Sequence, residues 1–453
     1  MAVRGRCSRA RLTLRSPAVL LIAGALSATI GLSAEDWPEY RGRGRIGIWK
    51  ETGILEQFPE GGLKVIWRVP VKNGYAGPSV ANGRVFVSDF VRAVGPRGTE
   101  RLIAFDEKTG KELWKAEWEV SYGSAGFENG PHATPTADGD RVYFVGGTGV
   151  LAAVNAASGQ ILWKKDYLKD YGADQGQFGV SSAPLVDGER LIALVGGQPD
   201  AKVIAFDKMT GKEIWRSGKV TGPVGASQPM IIEAGGTRQL IIWDAAAVSS
   251  LNPNTGAVYW EQPFTGTGEM NIAMTHQGSR LLMTNFYEGP LMLELDASKP
   301  ASKVLWRGNS HSEIATDKLH AVITAPVIQG DYVYGICSYG QLRGLDAKTG
   351  ERIWESQAVT VERTRWASAQ FVQHEDRVFI TNDRGELMLA RLTPTGYQEI
   401  SRTTILKPTT DGRSRRKLGA VNWVAPAYAN RHLFLRNDEE LVRVSLAKDD
   451  YAR

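Results

Sequence analysis

The sequence predicts an all-β fold: an eight-bladed β-propeller of four-stranded antiparallel blades, closed by an N-terminal strand. A recurring turn motif is the first of three observations behind this. It reads Asp106-Glu-Lys-Thr-Gly110, Asn155-Ala-Ala-Ser-Gly159, Asp207-Lys-Met-Thr-Gly211, Asn252-Pro-Asn-Thr-Gly256 and Asp346-Ala-Lys-Thr-Gly350, with Trp114, Trp163, Trp215, Trp260 or Trp354 four residues after the glycine. Second, Trp67, those five tryptophans, Trp306 and Ile400 mark eight positions spaced 45 to 52 residues apart. A period in the forties with strand-like contents is that of propeller blades. Third, 50 glycines and 13 tryptophans in 453 residues, with weak helical patterning, fit many short strands joined by tight turns.

The chain begins with Arg4, Arg6, Arg9, Arg11 and Arg15 without an acid, then an apolar run from Ala18 to Leu32 and the small residues Ser33-Ala34. Residues 1–34 are therefore expected to be a signal peptide, rich in Ala, Gly and Ser. An uncleaved anchor is the competing reading, since the run is close to the lower limit for spanning a bilayer. The formal charge of +5 is carried by those five arginines, so the remainder is near neutral and the pI of about 9.0 is no sign of nucleic-acid binding. Cys7 lies in the leader and leaves Cys337 alone, which excludes an intramolecular disulfide and reads as a core thiol within the apolar run Tyr332–Tyr339.

Residues 35–62 read as an N-terminal extension and 63–453 as the propeller. One blade can be followed strand by strand: Ala133–Ala137, Arg141–Val145, Gly149–Asn155 and Gln160–Lys164. In the turn motif, Asp or Asn accepts from main-chain N–H groups just ahead, and glycine accepts positive φ without steric cost. The tryptophan offers a flat surface to the neighbouring blade and an indole N–H to a polar partner. Two copies are degenerate, Asp296 leading to Trp306 without the glycine, and Pro394-Thr-Gly396 leading to Ile400. Near the end, the stretches Trp423–Ala427, His432–Arg436 and Leu441–Ser445 supply three strands, and Lys64–Pro70 is an outer strand without a blade. Pairing them closes the ring and removes the open sheet edges.

The segments from Ala183-Pro184 to Trp215 and from Ala325-Pro326 to Trp354 resemble the tryptophan-docking repeats of quinoprotein dehydrogenases. They are also similar to those of the BamB-like propeller subunit of the bacterial outer-membrane-protein assembly machinery. The opening Asp36-Trp-Pro-Glu-Tyr-Arg-Gly42 resembles the N-terminal signature of the exported PQQ-binding-like β-propeller repeat proteins. The resemblance covers residues 36 to about 446 and rests on structural residues, so it implies the fold and leaves the function open. It implies an exported, periplasmic or secreted protein. It also brings in pyrroloquinoline quinone (PQQ) with Ca²⁺ as a cofactor to be tested. The adjacent cysteine pair typical of quinoprotein alcohol dehydrogenases and the Cys-x-x-Cys-His of a fused c-type haem are both missing from the sequence.

In propellers the central funnel is lined just before each inner strand. The residues so placed are Tyr75, Glu128, Asn129, His132, Gln177, Ser181, Gln228, Glu269, Asn271, His320, Arg363, Arg365, Trp366, Asn422 and Trp423. As a ligand pocket, Glu128 or Glu269 with Asn129 or Asn271 offers oxygens to Ca²⁺, Arg363 and Arg365 offer guanidinium groups to a carboxylate, and Trp366 or Trp423 offers a stacking face. As a hydrated channel, the same groups satisfy main-chain ends and water.

Gly42-Arg-Gly44-Arg-Ile-Gly47 matches a dinucleotide glycine pattern but follows no strand, so it reads as a loop before the propeller. The six histidines have no zinc-type spacing, no Gly-x-Ser-x-Gly elbow occurs, and the basic run Arg413, Arg415, Arg416 and Lys417 reads as a solvated face. Two functions stay open: a non-catalytic binding or scaffold propeller of the cell envelope, and a quinone-binding protein or PQQ-dependent dehydrogenase acting on alcohol or sugar. The expected partner is an envelope protein or a small-molecule ligand, with no nucleic acid, and with membrane contact only through an uncleaved leader.

Overall fold

A computed structural model describes residues 1–3, 5, 35–123, 130–220, 224–266, 271–411 and 417–452. Every strand falls into one of eight four-stranded antiparallel sheets. Blade 1 holds Ser79–Ala81, Arg84–Val94, Arg97–Asp106 and Glu112–Ser121, and blade 2 holds Thr136–Asp138, Arg141–Val145, Val150–Asn155 and Ile161–Asp166. Blades 3 to 7 repeat this order and begin at Leu185, Met230, Asn271, Val327 and Ala369. Blade 8 joins Ala427–Ala429, His432–Arg436 and Glu440–Ser445 to Val65–Pro70, so the N-terminal strand closes the ring, as the repeat arithmetic predicts.

The first strands of blades 2 and 8 are shorter and start later than the sequence suggests, that of blade 8 at Ala427 rather than Trp423. In blade 2 the strand starts at Thr136 rather than Ala133, because Pro135 has no N–H to give to a ladder. Neighbouring first strands approach one another, which places them around the axis. The fourth strands alternate exposed and buried positions, as in Glu112–Ser121, and form the rim.

The tryptophan motif is a joint between blades. Trp67, Trp114, Trp163, Trp215 and Trp306 donate their indole N–H to the carbonyls of Glu107, Ala156, Lys208, Pro253 and Ala347, each the second residue of the next blade's turn. The ring then lies on the glycine that ends that turn. Gly110 has φ of 73°, and a Cβ there would come within 2.9 Å of the Trp67 ring. Glycine is thus needed twice, for the turn and as the seat. The exception proves instructive: Trp260 faces the copy that lacks the glycine, and its indole N–H turns to Gln239 of its own blade, 2.9 Å away.

Ile400 leaves the blade 7–8 boundary without a docked tryptophan, and the segment 35–62 packs there instead. Trp49 meets the rings of Phe379 and Tyr428 at 5.5 and 5.1 Å, and Phe58 reaches Phe379 at 6.4 Å. Among the described residues no helix is long and apolar enough to cross a membrane.

Candidate functional site

Five of the fifteen funnel candidates come together. His132, before blade 2, stacks on Tyr75, before blade 1, with centroids 4.5 Å apart and planes 12° from parallel. Tyr75 lies 6.5 Å from Trp423, before blade 8, and Trp423 meets Trp366, before blade 7, edge-on at 6.5 Å. Arg365 places its guanidinium 4.8 Å over the Trp366 ring. The result is a continuous arc of rings that passes over blades 2, 1, 8 and 7 on one face of the propeller. Trp366 has φ of 67°, a left-handed conformation that costs a bulky residue about 1–3 kcal/mol and that clusters at functional sites.

Beyond Arg365 the arc becomes polar. Arg365 pairs with Glu313 and donates to the Tyr287 hydroxyl at 2.8 Å, while Tyr339 donates to Glu313 at 3.0 Å. Glu313, Tyr287 and Tyr339 escaped the sequence reading because they sit in the middle turns of blades 5 and 6 and early in the loop before blade 6. At the other end, burial pushes His132 down to about 4, and its hydrogen bond to the main chain at Gly130 works against that shift. The imidazole is therefore neutral at ordinary pH.

Other candidates serve the framework. Gln228 accepts from the Ala183 N–H at 2.7 Å and donates to the carbonyls of Ser181 and Ala226. His320 is fully buried and lies under Gly289, with a ring nitrogen 3.1 Å from the Phe286 carbonyl. The Asn422 side chain accepts from the Val424 N–H and is buried. Ser181 is buried, with its hydroxyl on the Gly179 carbonyl. Gln177 and Arg363 are exposed. Glu128, Asn129 and Glu269 lie outside the described residues, as do Arg413, Arg415 and Arg416, and only the backbone of Asn271 is described.

The fit to PQQ with Ca²⁺ can be tested on these groups. A tricarboxylate quinone asks for a stacking face and a surplus of positive charge. The arc has the face, but Arg365 is already neutralised by Glu313 and stands over the ring. Among the described residues no group of three or more His, Cys, Asp or Glu side chains is placed to hold a metal ion. The described residues thus offer a quinone a stacking face without a metal-holding group, and the calcium-ligand candidates Glu128, Asn129 and Glu269 lie outside them.

Sequence reading missed the deepest polar residues. Arg45, on the loop Gly42–Gly47, is 2% exposed and reaches the main chain just ahead of the first strands of blades 3 and 4. Arg436 is fully buried and donates to the carbonyls of Ser88, Lys72 and Asn437, which ties blade 8 to blade 1. Glu100 is fully buried beside blade 2. Glu100 stands between Thr99 and Arg101 in a strand with other charges, so nothing in the sequence singled it out, whereas Arg436 ends an apolar strand.

Comparison with known proteins places this architecture. No curated protein matches the chain. Its fold is similar to quinohemoprotein alcohol dehydrogenase from Comamonas testosteroni, with TM-score 0.62 and 13% identity, over 91% of this chain and 80% of that one. Europium-containing methanol dehydrogenase gives TM-score 0.59 and 12% identity over 82% and 86% of the two chains. The computationally designed Ika8 protein gives 0.54 and 11% over 85% and 100%. At these identities the likeness is one of fold. The family model described as outer membrane protein assembly factor BamB matches residues 59–217, 98–272 and 199–448. The overlapping matches follow the repeat, and together they span most of the chain, which belongs to this BamB-described PQQ-repeat family.

Proposed function

We propose that this is an exported propeller that acts as a non-catalytic binding or scaffold protein of the cell envelope, engaging its partner through the face that carries the aromatic arc. The observation that carries the reading is the division of labour around the axis. Polar side chains such as Gln228, His320, Asn422 and Arg436 are used up on main-chain groups, while the rings of His132, Tyr75, Trp423 and Trp366 run together across four blades. Aromatic rings are what protein interfaces use as anchors. The basic, then apolar, leader and the family's description as an outer membrane assembly factor support export and an envelope setting. The fold shared with alcohol and methanol dehydrogenases supports the competing reading of quinone-dependent oxidation, at the level of fold.

A photo-cross-linking residue at Arg363, an exposed position beside the arc, is expected to yield a discrete adduct in intact envelopes. The same residue at Leu113, exposed on the rim, is expected to yield none. Trp423→Ala is expected to weaken the adduct at position 363 at least about tenfold, the effect of losing a hot-spot aromatic. Equal adducts at both positions would refute the reading.

A further inference from the structure

The segment from Trp37 to Trp49 does more than pack against the rim. Trp37 exchanges two main-chain hydrogen bonds with Val80 in the first strand of blade 1, and the Pro38 carbonyl accepts from Ala137 in the first strand of blade 2. Farther along, Gly47 and Trp49 hydrogen-bond Gln373, near the end of the first strand of blade 7. In a ring of eight, contact with blades 1 and 2 and then with blade 7 by way of blades 3 and 4 carries the chain across the axis.

Between those anchors the Arg45 side chain leaves the main chain and enters the ring. Its guanidinium donates to the carbonyls of Ala183 at 3.1 Å, Pro184 at 2.6 Å and Pro229 at 2.9 Å, just ahead of the first strands of blades 3 and 4, and its Nε meets Glu39 at 2.9 Å. Pro184 also accepts from the Thr136 hydroxyl of blade 2, at 2.7 Å. One guanidinium therefore ties the entries to blades 3 and 4 to the segment that crosses the mouth, and Pro184 passes the link on to blade 2. Arg41 braces it from behind, donating to the carbonyls of Arg45 and Ile46 and lying 7% exposed.

We infer that residues 39–47 form a fixed stopper in the central channel, pinned by Arg45, which makes the propeller a blind cup. The mouth on the side of the first-to-second-strand turns is shut, so a ligand or partner segment enters and leaves by the opposite face, where the arc lies. An extended segment threaded through the ring is excluded as a mode of binding. This deepens the reading of the arc face as the binding face, and its test is independent of any ligand.

The test is thiol labelling of the full chain carrying Cys7→Ser and Thr136→Cys, the latter a position 3% exposed beside the Arg45 contacts, with the native Cys337, 1% exposed, as an internal reference. With Arg45 present, a small methanethiosulfonate reagent is expected to label position 136 slowly. Adding Arg45→Ala should speed labelling there at least about tenfold while Cys337 stays unreactive, and Arg45→Lys should fall between, since an ammonium cannot reproduce the planar fork. Rapid labelling with Arg45 in place would overturn the stopper. So would an unchanged rate in Arg45→Ala, or a parallel rise at Cys337, which would make the loosening global. Failure of the cross-link at position 363 with these labelling results intact would count against the binding face alone.

Discussion

Trp67→Ala is expected to lower the unfolding free energy by about 3–5 kcal/mol, the range for truncating a buried tryptophan. Trp67 is 9% exposed, packs on Phe434, and donates to Glu107 across the joint that closes the ring. Arg443 donates to the same Glu107 carbonyl, so the seam between blades 8 and 1 loses a shared anchor. Trp260→Ala is expected to cost less, about 1–2 kcal/mol, because Trp260 is half-buried and hydrogen-bonds within its own blade. Urea unfolding of the two variants measures the difference. The seat supplies an internal check. Gly110→Ala drives a Cβ against the Trp67 ring, so its cost should shrink in the Trp67→Ala background, a coupling of about 1 kcal/mol or more.

Glu100→Ala is expected to be comparably damaging, at about 3–5 kcal/mol, since several buried neutral donors lose their acceptor at about 1–3 kcal/mol each. The carboxylate accepts from the Tyr122 hydroxyl at 2.6 Å, from the Trp118 indole at 3.1 Å, and from the N–H groups of Gly147 and Thr148. It thereby fastens the extended part of blade 1 to the middle turn of blade 2. Gly146 lets the carboxylate in, since a Cβ there would collide with it. Removing the side chain leaves four buried donors without an acceptor.

The same group gives a pH signature. Burial raises Glu100 above its ordinary value of 4.5, and the hydrogen bonds to Tyr122, Trp118 and the main chain only partly offset this. A raised folded-state pKa means that the folded protein binds the proton more tightly than the unfolded chain. Its contribution is therefore fully present below about pH 4.5 and is lost as pH rises through the folded value. The stability gap between the wild type and Glu100→Ala should be widest in acid and narrow toward neutrality, as read by thermal unfolding across pH.

These two expectations show where the sequence was informative. The motif located the turns, the tryptophans and the blade count, because the turn chemistry is local and the repeat is regular. It did not reveal that Trp67 sits on Gly110, since the two belong to successive repeats and meet only when the blades stack. In hindsight the copy at Asp296, which lacks the glycine, and the diverted Trp260 are two sides of one rule. The long strands of blade 1 were likewise unread, although Trp114, Ala116, Trp118 and Val120 alternate through Glu112–Ser121 as a longer strand requires.

The candidate site was legible in part. The rule that funnel residues precede inner strands selected Tyr75, His132, Arg365, Trp366 and Trp423, which do converge. It selected His320 and Asn422 just as strongly, because it fixes position along the chain but not the direction of a side chain. Arg45 was invisible for the opposite reason. Its loop precedes the propeller in sequence and enters the channel only through contacts more than a hundred residues away.

The proposed function has the arc face bind a partner and not oxidise a substrate. It is tested most directly by a dye-linked oxidation assay of the purified chain with added PQQ and Ca²⁺, over a panel of alcohols and sugars. No turnover above the quinone-only control is expected. Turnover that depends on the protein, and that falls in Trp366→Ala or Arg365→Ala, would contradict it and establish the funnel as a quinone enzyme's active site.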